Sequence, residues 1–121
     1  MSEIIEEEER RKSIKVLSGL LDEFIEERYD EIKLSFDRPL DLSEKEYYEL
    51  IGNYDSSNGA EGLDVFIYDL GVFENSKTER CYKVSKVLEI ELSTQENGVY
   101  TIYKIVGYTD TSETECRDNE D

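Results

Sequence analysis

The sequence has 121 residues, with 31 acidic and 14 basic side chains, a formal net charge of -17 and no histidine. This excess of acid argues against direct binding to nucleic-acid phosphates or to an anionic membrane, because both need basic protein surface. The absence of histidine removes the commonest general base and transition-metal ligand, and with them Ser-His and Cys-His nucleophile systems. The length fits a single domain.

The first segment, residues 6–29, is predicted to be an amphipathic helix. Its apolar residues recur at intervals of three and four, at Ile14, Leu17, Leu21, Phe24 and Ile25. The acidic run at 6–9 complements the helix dipole, so we interpret it as a solvated helix start rather than a binding segment. It is also unlike a basic, apolar secretion signal, and no stretch has the length of a membrane span. We therefore expect an intracellular protein without membrane contact.

Residues 32–37 alternate between apolar and polar side chains and predict a short strand that ends before Pro39. The next motif, Ser43 to Glu46, is a capping box. In it the Ser43 hydroxyl accepts from the Glu46 amide while the Glu46 carboxylate accepts from the Ser43 amide. We expect a helix after it that stops near Gly52, and then a loop over the Ser-, Gly- and Asn-rich residues 55–62.

Three sequential strands are predicted at residues 63–73, 82–93 and 99–109. Gly71 indicates a bulge or bend in the first of them. Asn-Gly at positions 97 and 98 predicts a two-residue type I′ hairpin between the second and third. That turn sets the expected register, with Leu92 opposite Tyr103 and Ile90 opposite Ile105.

The two faces of this hairpin differ in the residues they carry. One face alternates Val84, Leu88, Ile90 and Leu92 and is expected to face the core. The other pairs Glu91 with Lys104 but carries too many apolar groups for a face wholly in water. Its candidate interface residues are Val87, Tyr100, Ile102, Val106 and Tyr108. We expect a second copy in a homodimer, or another protein partner, to cover it.

These elements predict an α+β fold with a four-stranded antiparallel sheet, ordered helix, strand, helix and then a three-strand meander, with both helices on one face. The expected single domain spans residues 1–109, and residues 110–121 are expected to be a disordered acidic tail. Cys81 and Cys116 form no metal-binding spacing. A bridge between them stays open beside two free thiols, since disulfides are rare in intracellular proteins.

The many carboxylates raise the alternative of a magnesium-dependent nuclease. The candidate pairs are Asp37 with Asp41 and Glu89 with Glu91. Both have a structural explanation, because Lys104 is expected opposite Glu91 and aspartate is common in turns. No phosphate-binding glycine loop or lysine cluster accompanies them. The sequence therefore predicts a protein that is not an enzyme, with no catalytic residues, no metal ligands and no cofactor.

Three stretches resemble a small-protein family of archaeal rod-shaped and filamentous viruses: LLDEFI at 20–25, IKLSFD at 32–37 and LSEKEYYELI at 42–51. That family includes an anti-CRISPR inhibitor of the type I-D interference complex. The resemblance covers roughly residues 20–108. It implies an α+β homodimer in the host cytoplasm that binds a Cas effector subunit without catalysis, namely the Cas10-type large subunit of a type I-D or a type III complex. A non-enzymatic viral structural or regulatory protein that assembles with itself is the alternative.

Overall fold

The computed structural model describes residues 2–26 and 29–116, with side chains from residue 8 onward. The elements are α1 (Ser2–Ile25), β1 (Glu31–Ser43), α2 (Glu44–Ile51), β2 (Ser56–Ala60), β3 (Leu63–Asn75), β4 (Arg80–Thr94) and β5 (Val99–Thr114). The strands form one antiparallel sheet in the order β1-β5-β4-β3-β2. The α+β class is confirmed, but the predicted four-stranded sheet is wrong because the sheet has a fifth strand, β2.

Strand β2 lies where the sequence predicted a loop. Its residues are small or polar and all are exposed. The strand pairs with β3 along its whole length, from Ser56 opposite Ile67 to Ala60 opposite Leu63, and Gly62 lies in the connecting turn with φ of 82°. Backbone hydrogen bonds at the sheet edge hold this strand. Because its side chains do not alternate between apolar and polar, the sequence pattern does not identify it as a strand.

Both helices pack on one face of the sheet and form the core with it. The buried residues of α1 are Leu17, Leu21 and Phe24, and those of α2 are Tyr47, Leu50 and Ile51. Their main partners in the sheet are Phe66, Tyr68, Leu88, Ile90, Leu92, Ile102 and Ile105. The predicted apolar stripe of α1 is thus confirmed, with Ile14 and Ile25 partly buried at its borders. Helix α1 ends at Ile25 rather than residue 29, Glu8 and Glu9 are exposed, and the side chains at positions 6 and 7 lie outside the described residues.

Strand β1 is longer than the predicted segment 32–37 and runs directly into α2. Its pairing with β5 is irregular between Ser35 and Leu40. Pro39, which has no amide proton to donate, lies in that interruption. The predicted capping box is confirmed: the Ser43 hydroxyl accepts from the Glu46 amide (3.1 Å) and the Glu46 carboxylate accepts from the Ser43 amide (2.9 Å). Helix α2 ends at Ile51 with Gly52 as its C-cap, where the sequence indicated a stop.

The turn between β4 and β5 differs from the predicted type I′ hairpin. The Gly98 amide donates to the Gln95 carbonyl (3.0 Å), the Gln95 amide donates to the Val99 carbonyl (2.8 Å), and Gly98 has φ of 84°. This is a three-residue loop, so the first strand residues pair one position away from the predicted register. Leu92 faces Ile102 instead of Tyr103.

Tyr103 is the extra residue of a β-bulge, which restores the predicted register farther along the hairpin. Glu91 faces Lys104, and Ile90 faces Ile105, as expected from the sequence. A second irregularity lies in β3 between Asp69 and Gly71, where a bulge was predicted. The bulge at Tyr103 has the larger consequence, because it changes the face on which the residues before it lie.

Strand β5 continues well past residue 109. It pairs with β4 as far as Thr114, opposite Cys81, and a disulfide joins Cys81 to Cys116. Arg80 also forms an ion pair with Glu113 at 2.7 Å. Residues 110–114 are therefore strand where a disordered tail was expected, and the expected boundary at residue 109 falls inside β5. Residues 117–121 of that expected tail lie outside the described residues.

Candidate functional site

The face of the sheet away from the helices carries an apolar patch, which we call the open face. It consists of Leu63, Val65 and Ile67 of β3, Val87 of β4, and Val106 and Tyr108 of β5. These residues alternate along their strands with the core residues, so their side chains point away from the helices. Val87 is buried between its cross-strand neighbours Ile67 and Tyr108, whereas Tyr108 is 37% exposed.

The five predicted interface residues do not lie together. Val87, Val106 and Tyr108 are on the open face, but Ile102 is fully buried in the core and Tyr100 stacks on Tyr47 of α2 with ring centroids 4.7 Å apart. The physical reason is the bulge at Tyr103, which turns the residues between the loop and the bulge toward the helices. The assignment of Tyr100 and Ile102 to this face is therefore corrected. Whether the open face forms an interface stays a prediction.

Charged side chains of both signs lie on the open face beside the apolar patch. Lys33 of β1 pairs with Val106, and Lys104 pairs with Glu91 across β4 and β5. The side chains of Glu91 and Lys104 form no ion pair among the described residues. The Tyr108 hydroxyl donates to Glu89 Oε2 at 3.1 Å. Burial, together with the neighbouring Glu89 carboxylate, raises the pKa of the Tyr108 hydroxyl.

The carboxylate pairs considered for a nuclease have other surroundings. Asp41 accepts from the Thr101 hydroxyl at 2.8 Å, and Asp37 is exposed on β1. Glu89 accepts from Tyr108, and Glu91 lies opposite Lys104 in the sheet. In residues 2–26 and 29–116, no group of three or more His, Cys, Asp or Glu residues is arranged to hold a metal ion. None of the described helices is long and apolar enough to cross a membrane.

A second surface feature is a cavity of about 330 Å³ at the β2 edge of the sheet, which we call the tyrosine cleft. Its walls are Tyr48 of α2, Tyr54 and Phe66, and residues 57–60 of β2 form another side. The rings of Tyr54 and Phe66 lie 4.9 Å apart between centroids. Tyr48 and Tyr54 are 41% and 38% exposed, so both rings are accessible from solvent.

The charged group of the tyrosine cleft is Asp64. Its Oδ2 accepts a hydrogen bond from the buried Tyr47 hydroxyl at 2.7 Å. Burial and the Asp64 carboxylate both raise the pKa of Tyr47, so this hydroxyl stays protonated and donates a hydrogen bond to Asp64. Among the residues that the structure describes, no lysine or arginine lines the cleft. Sequence reasoning missed this site because strand β2, which closes it, carries no apolar pattern; the signal it did offer was the tyrosines at 47, 48 and 54.

Arg10 connects the two helices. Its guanidinium donates to both carboxylate oxygens of Glu46, at 2.9 and 3.2 Å, and to the Asp41 carbonyl at 3.2 Å. The hydrogen bonds that Glu46 accepts from Arg10 and from the Ser43 amide lower the pKa of Glu46 to about 2. Glu46 therefore joins the capping box of α2 to helix α1. This contact gives Glu46 a structural role, so its carboxylate is not available to bind a metal or a partner.

The chain is similar to a family of unknown function and to proteins of archaeal filamentous viruses. A family model described as "Protein of unknown function (DUF1374)" matches residues 13–110. A protein of Sulfolobus islandicus filamentous virus, "Uncharacterized protein 14", is 34% identical over 96 residues, which are 76% of this chain and 76% of that protein. "Uncharacterized protein ORF99" of Acidianus filamentous virus 1 is 37% identical over 98 residues, 79% of this chain and 89% of the relative.

Solved structures of proteins with the same designations share the fold. "The thermo- and acido-stable ORF-99 from the archaeal virus AFV1" superposes with a TM-score of 0.65 at 31% identity and covers 86% of this chain and 98% of its own. The structure of ORF14 from Sulfolobus islandicus filamentous virus has a TM-score of 0.58 at 29% identity, with coverage of 80% and 83%. The similarity therefore extends over most of the sheet and helices.

Proposed function

This chain belongs to the DUF1374 family of proteins of unknown function and is similar to proteins of archaeal filamentous viruses, and on that premise we propose that it is a viral anti-CRISPR protein. In this proposal it acts in the host cytoplasm, binds a Cas effector subunit and inhibits it without catalysis. The target is the Cas10-type large subunit of a type I-D or a type III complex, which the resemblance to the inhibitor-containing viral family suggests.

The observation that carries the proposal is the strong excess of acidic over basic side chains. The net charge of -17 favours a basic protein partner, and complementary charge speeds association and rejects anionic competitors. The nucleic-acid-handling surface of a Cas effector is basic, because it must neutralise phosphates. An acidic protein that occupies or adjoins that surface blocks nucleic acid without any reaction of its own.

We also propose that the protein is a homodimer formed through the open face. Apolar residues at its centre would be removed from water by a second copy. Lys33 and Lys104 lie beside Glu89 and Glu91 on the same surface, so a twofold arrangement can place opposite charges against each other. This local mixture of signs matters in a chain whose overall charge would otherwise repel a copy of itself.

The proposal is tested by capture of purified type I-D and type III effector complexes on the immobilised protein, at about 50 and about 150 mM salt. We expect the large subunit to be retained, more strongly at the lower salt because exposed charges are screened over about a Debye length. Retained complex should also lose interference activity in proportion to the inhibitor added. Failure to retain any effector subunit at either salt would overturn the proposal.

The second candidate is a viral structural or regulatory protein that uses the open face only to assemble with itself. The observation that favours it is the open face, which needs no further partner once a second copy covers it. It predicts a stable dimer that neither retains an effector complex nor changes interference in infected cells. The same capture experiment therefore separates the two candidates.

A further inference from the structure

We infer that the tyrosine cleft binds an arginine side chain of a basic protein partner. This inference rests on the proposed function in one respect, because it names the chemistry by which the proposed basic partner is held. The cleft lies on the helix side of the sheet, at its β2 edge, and is separate from the open face that we propose for dimerisation.

The aromatic walls indicate a cationic ligand. Tyr48 and Tyr54, which are 41% and 38% exposed, line a cavity of about 330 Å³ together with the buried Phe66. A guanidinium or ammonium group over such faces is attracted by the ring quadrupole. The planar guanidinium additionally stacks on aromatic rings, which an ammonium group does not do.

The carboxylate indicates the same ligand. Asp64 Oδ2 is held by the Tyr47 hydroxyl, which fixes the orientation of the carboxylate at the cleft. No hydrogen bond to Oδ1 is formed within the described part of the chain, so this oxygen is left for a ligand. A guanidinium meets a carboxylate through short, charge-assisted hydrogen bonds. The described lining of the cleft therefore combines an anion with aromatic rings and includes no lysine or arginine.

Strand β2 keeps the cleft open. Residues 57–60 have small or polar side chains, and Asn58 Oδ1 accepts from the Gly59 amide at 2.7 Å, so the Asn58 side chain is turned back onto its own backbone. At Gly59 a Cβ would collide with the Leu63 carbonyl of β3, which requires glycine at this position. A side chain from outside therefore has room beside the aromatic rings.

The inference is tested with the intact, ¹⁵N-labelled protein and a probe peptide, acetyl-Gly-Arg-Gly-amide, followed by NMR. The matched controls are the same peptide with citrulline, which has the shape of arginine without its charge, and the same peptide with lysine. We expect amide shifts concentrated at 54–60 and at Asp64, several-fold weaker binding of the lysine peptide and none of the citrulline peptide. Equal binding of citrulline and arginine, or shifts spread evenly over the acidic surface, would overturn the inference.

Two variants remove the two halves of the site. Asp64→Asn and Tyr54→Leu should each weaken arginine-peptide binding by roughly fivefold or more, the usual effect of losing a charge-assisted or cation–π contact at a partly exposed site. Asp37→Asn, which removes the same charge from the opposite edge of the sheet, should leave binding unchanged. If Asp37→Asn weakens binding as much as Asp64→Asn, the ligand is attracted only by net charge and the inference fails.

Capture of the effector complexes with the same variants separates this inference from the proposed function. Loss of capture with Asp64→Asn but not with Asp37→Asn would support both. If the unaltered protein retains no effector but still binds the arginine peptide in the cleft, the proposed function fails while the cleft remains an arginine site. If the effector is retained equally by all variants, the partner does not use the cleft and the inference fails for that partner.

Discussion

Gly107 carries no side chain at a point where β5 runs beneath Phe24 of α1. A Cβ at this position would lie 2.7 Å from Cζ of Phe24 and 2.9 Å from Cγ1 of Ile32, closer than packed carbon atoms approach. Lys86, which pairs with Thr109 two positions farther along β5, is buried and donates to the Tyr29 carbonyl (2.8 Å) and the Thr109 hydroxyl (2.7 Å). The C-terminal end of α1 is thus positioned both by a missing side chain and by a buried cation.

We therefore predict that Gly107→Ala destabilises the fold by about 1–3 kcal/mol, the usual cost of overpacking a core. Equilibrium unfolding in urea measures this change. The matched control is Gly19→Ala, at an exposed position of helix α1 where nothing lies within 4 Å of an added Cβ. There we expect about 0.5–1 kcal/mol of stabilisation from helix propensity. A Gly107→Ala protein as stable as the unaltered one would contradict the close packing of Phe24.

Glu46 gives a second prediction at the scale of one residue. Its pKa is lowered from 4.5 to about 2 in the folded protein, chiefly by the hydrogen bond from Arg10. A lowered folded-state pKa stabilises the fold above the unfolded value, so this contribution is complete above about pH 4.5 and is lost as the pH falls toward 2. Because both side chains are partly solvent-exposed, we expect only about 1 kcal/mol from this contact.

The variant Glu46→Gln tests it, since glutamine retains the capping box but not the charge. The difference in free energy of unfolding between the unaltered protein and Glu46→Gln should be greatest near pH 6 and should approach zero only as the pH falls below about 2. Urea unfolding at several pH values measures it, with Glu96→Gln in the exposed β4–β5 loop as the control that should change little. A difference that is constant with pH would argue against the Arg10 contact.

At the scale of the element, the sequence was most informative where a side chain determines the local backbone. The capping box at Ser43, the stop at Gly52 and the bulge before Gly71 were all predicted from residue type alone. Strand β2 was missed because an edge strand with only exposed residues is held by backbone pairing, which any sequence can supply. The end of β5 was missed for the same reason.

The two faces of β5 were assigned incorrectly for a different reason. One additional loop residue, Glu96, moves the pairing of Leu92 from Tyr103 to Ile102, and the bulge at Tyr103 then restores the register. A one-residue shift transfers a side chain to the opposite face of a sheet. Two of the five candidate interface residues therefore belong to the core. The tyrosine cleft was not predictable either, because it exists only when β2 pairs with β3.

The disulfide leads to a prediction for the end of β5. Cys81 and Cys116 are 35 positions apart and join the first residues of β4 to the segment after β5. We expect Cys116→Ser to lower the free energy of unfolding by about 2–4 kcal/mol, the usual effect of losing a native disulfide. Hydrogen exchange should accelerate most at residues 111–114, which the bridge holds against β4.

The control for this prediction is addition of a reductant. Reduction should reproduce the effect in the unaltered protein and should have none on Cys116→Ser. If exchange at 111–114 is the same with and without the bridge, backbone pairing alone holds this part of β5 and the disulfide is dispensable for its order.

At the scale of the whole molecule, we predict that Val106→Asp converts the proposed dimer to a monomer. The substitution places a charge on the open face, where a partner copy would remove it from water. Light scattering measures the mass, and circular dichroism checks that the fold persists. Tyr108→Asp, at a position 37% exposed, should act in the same way if Val106→Asp unfolds. Ile102 is unsuitable for this test because it is fully buried in the core.

The matched control is Val16→Asp, since Val16 is 71% exposed on α1 and lies on the other side of the molecule from the open face. It introduces the same charge without touching that surface, so the dimer should persist. A dimer that survives both Val106→Asp and Tyr108→Asp would place the subunit contact elsewhere, and a protein that is monomeric before any substitution would refute the dimer itself.

The two outermost strands determine how copies of this protein can associate. On one border β1 is interrupted at Pro39, which offers no amide proton, and on the other β2 is only five residues long and entirely polar or small. Neither border presents the long, flat, apolar ladder on which another chain could extend the sheet. Open-ended growth into fibres is thereby discouraged, and self-association is directed to closed assemblies of limited size.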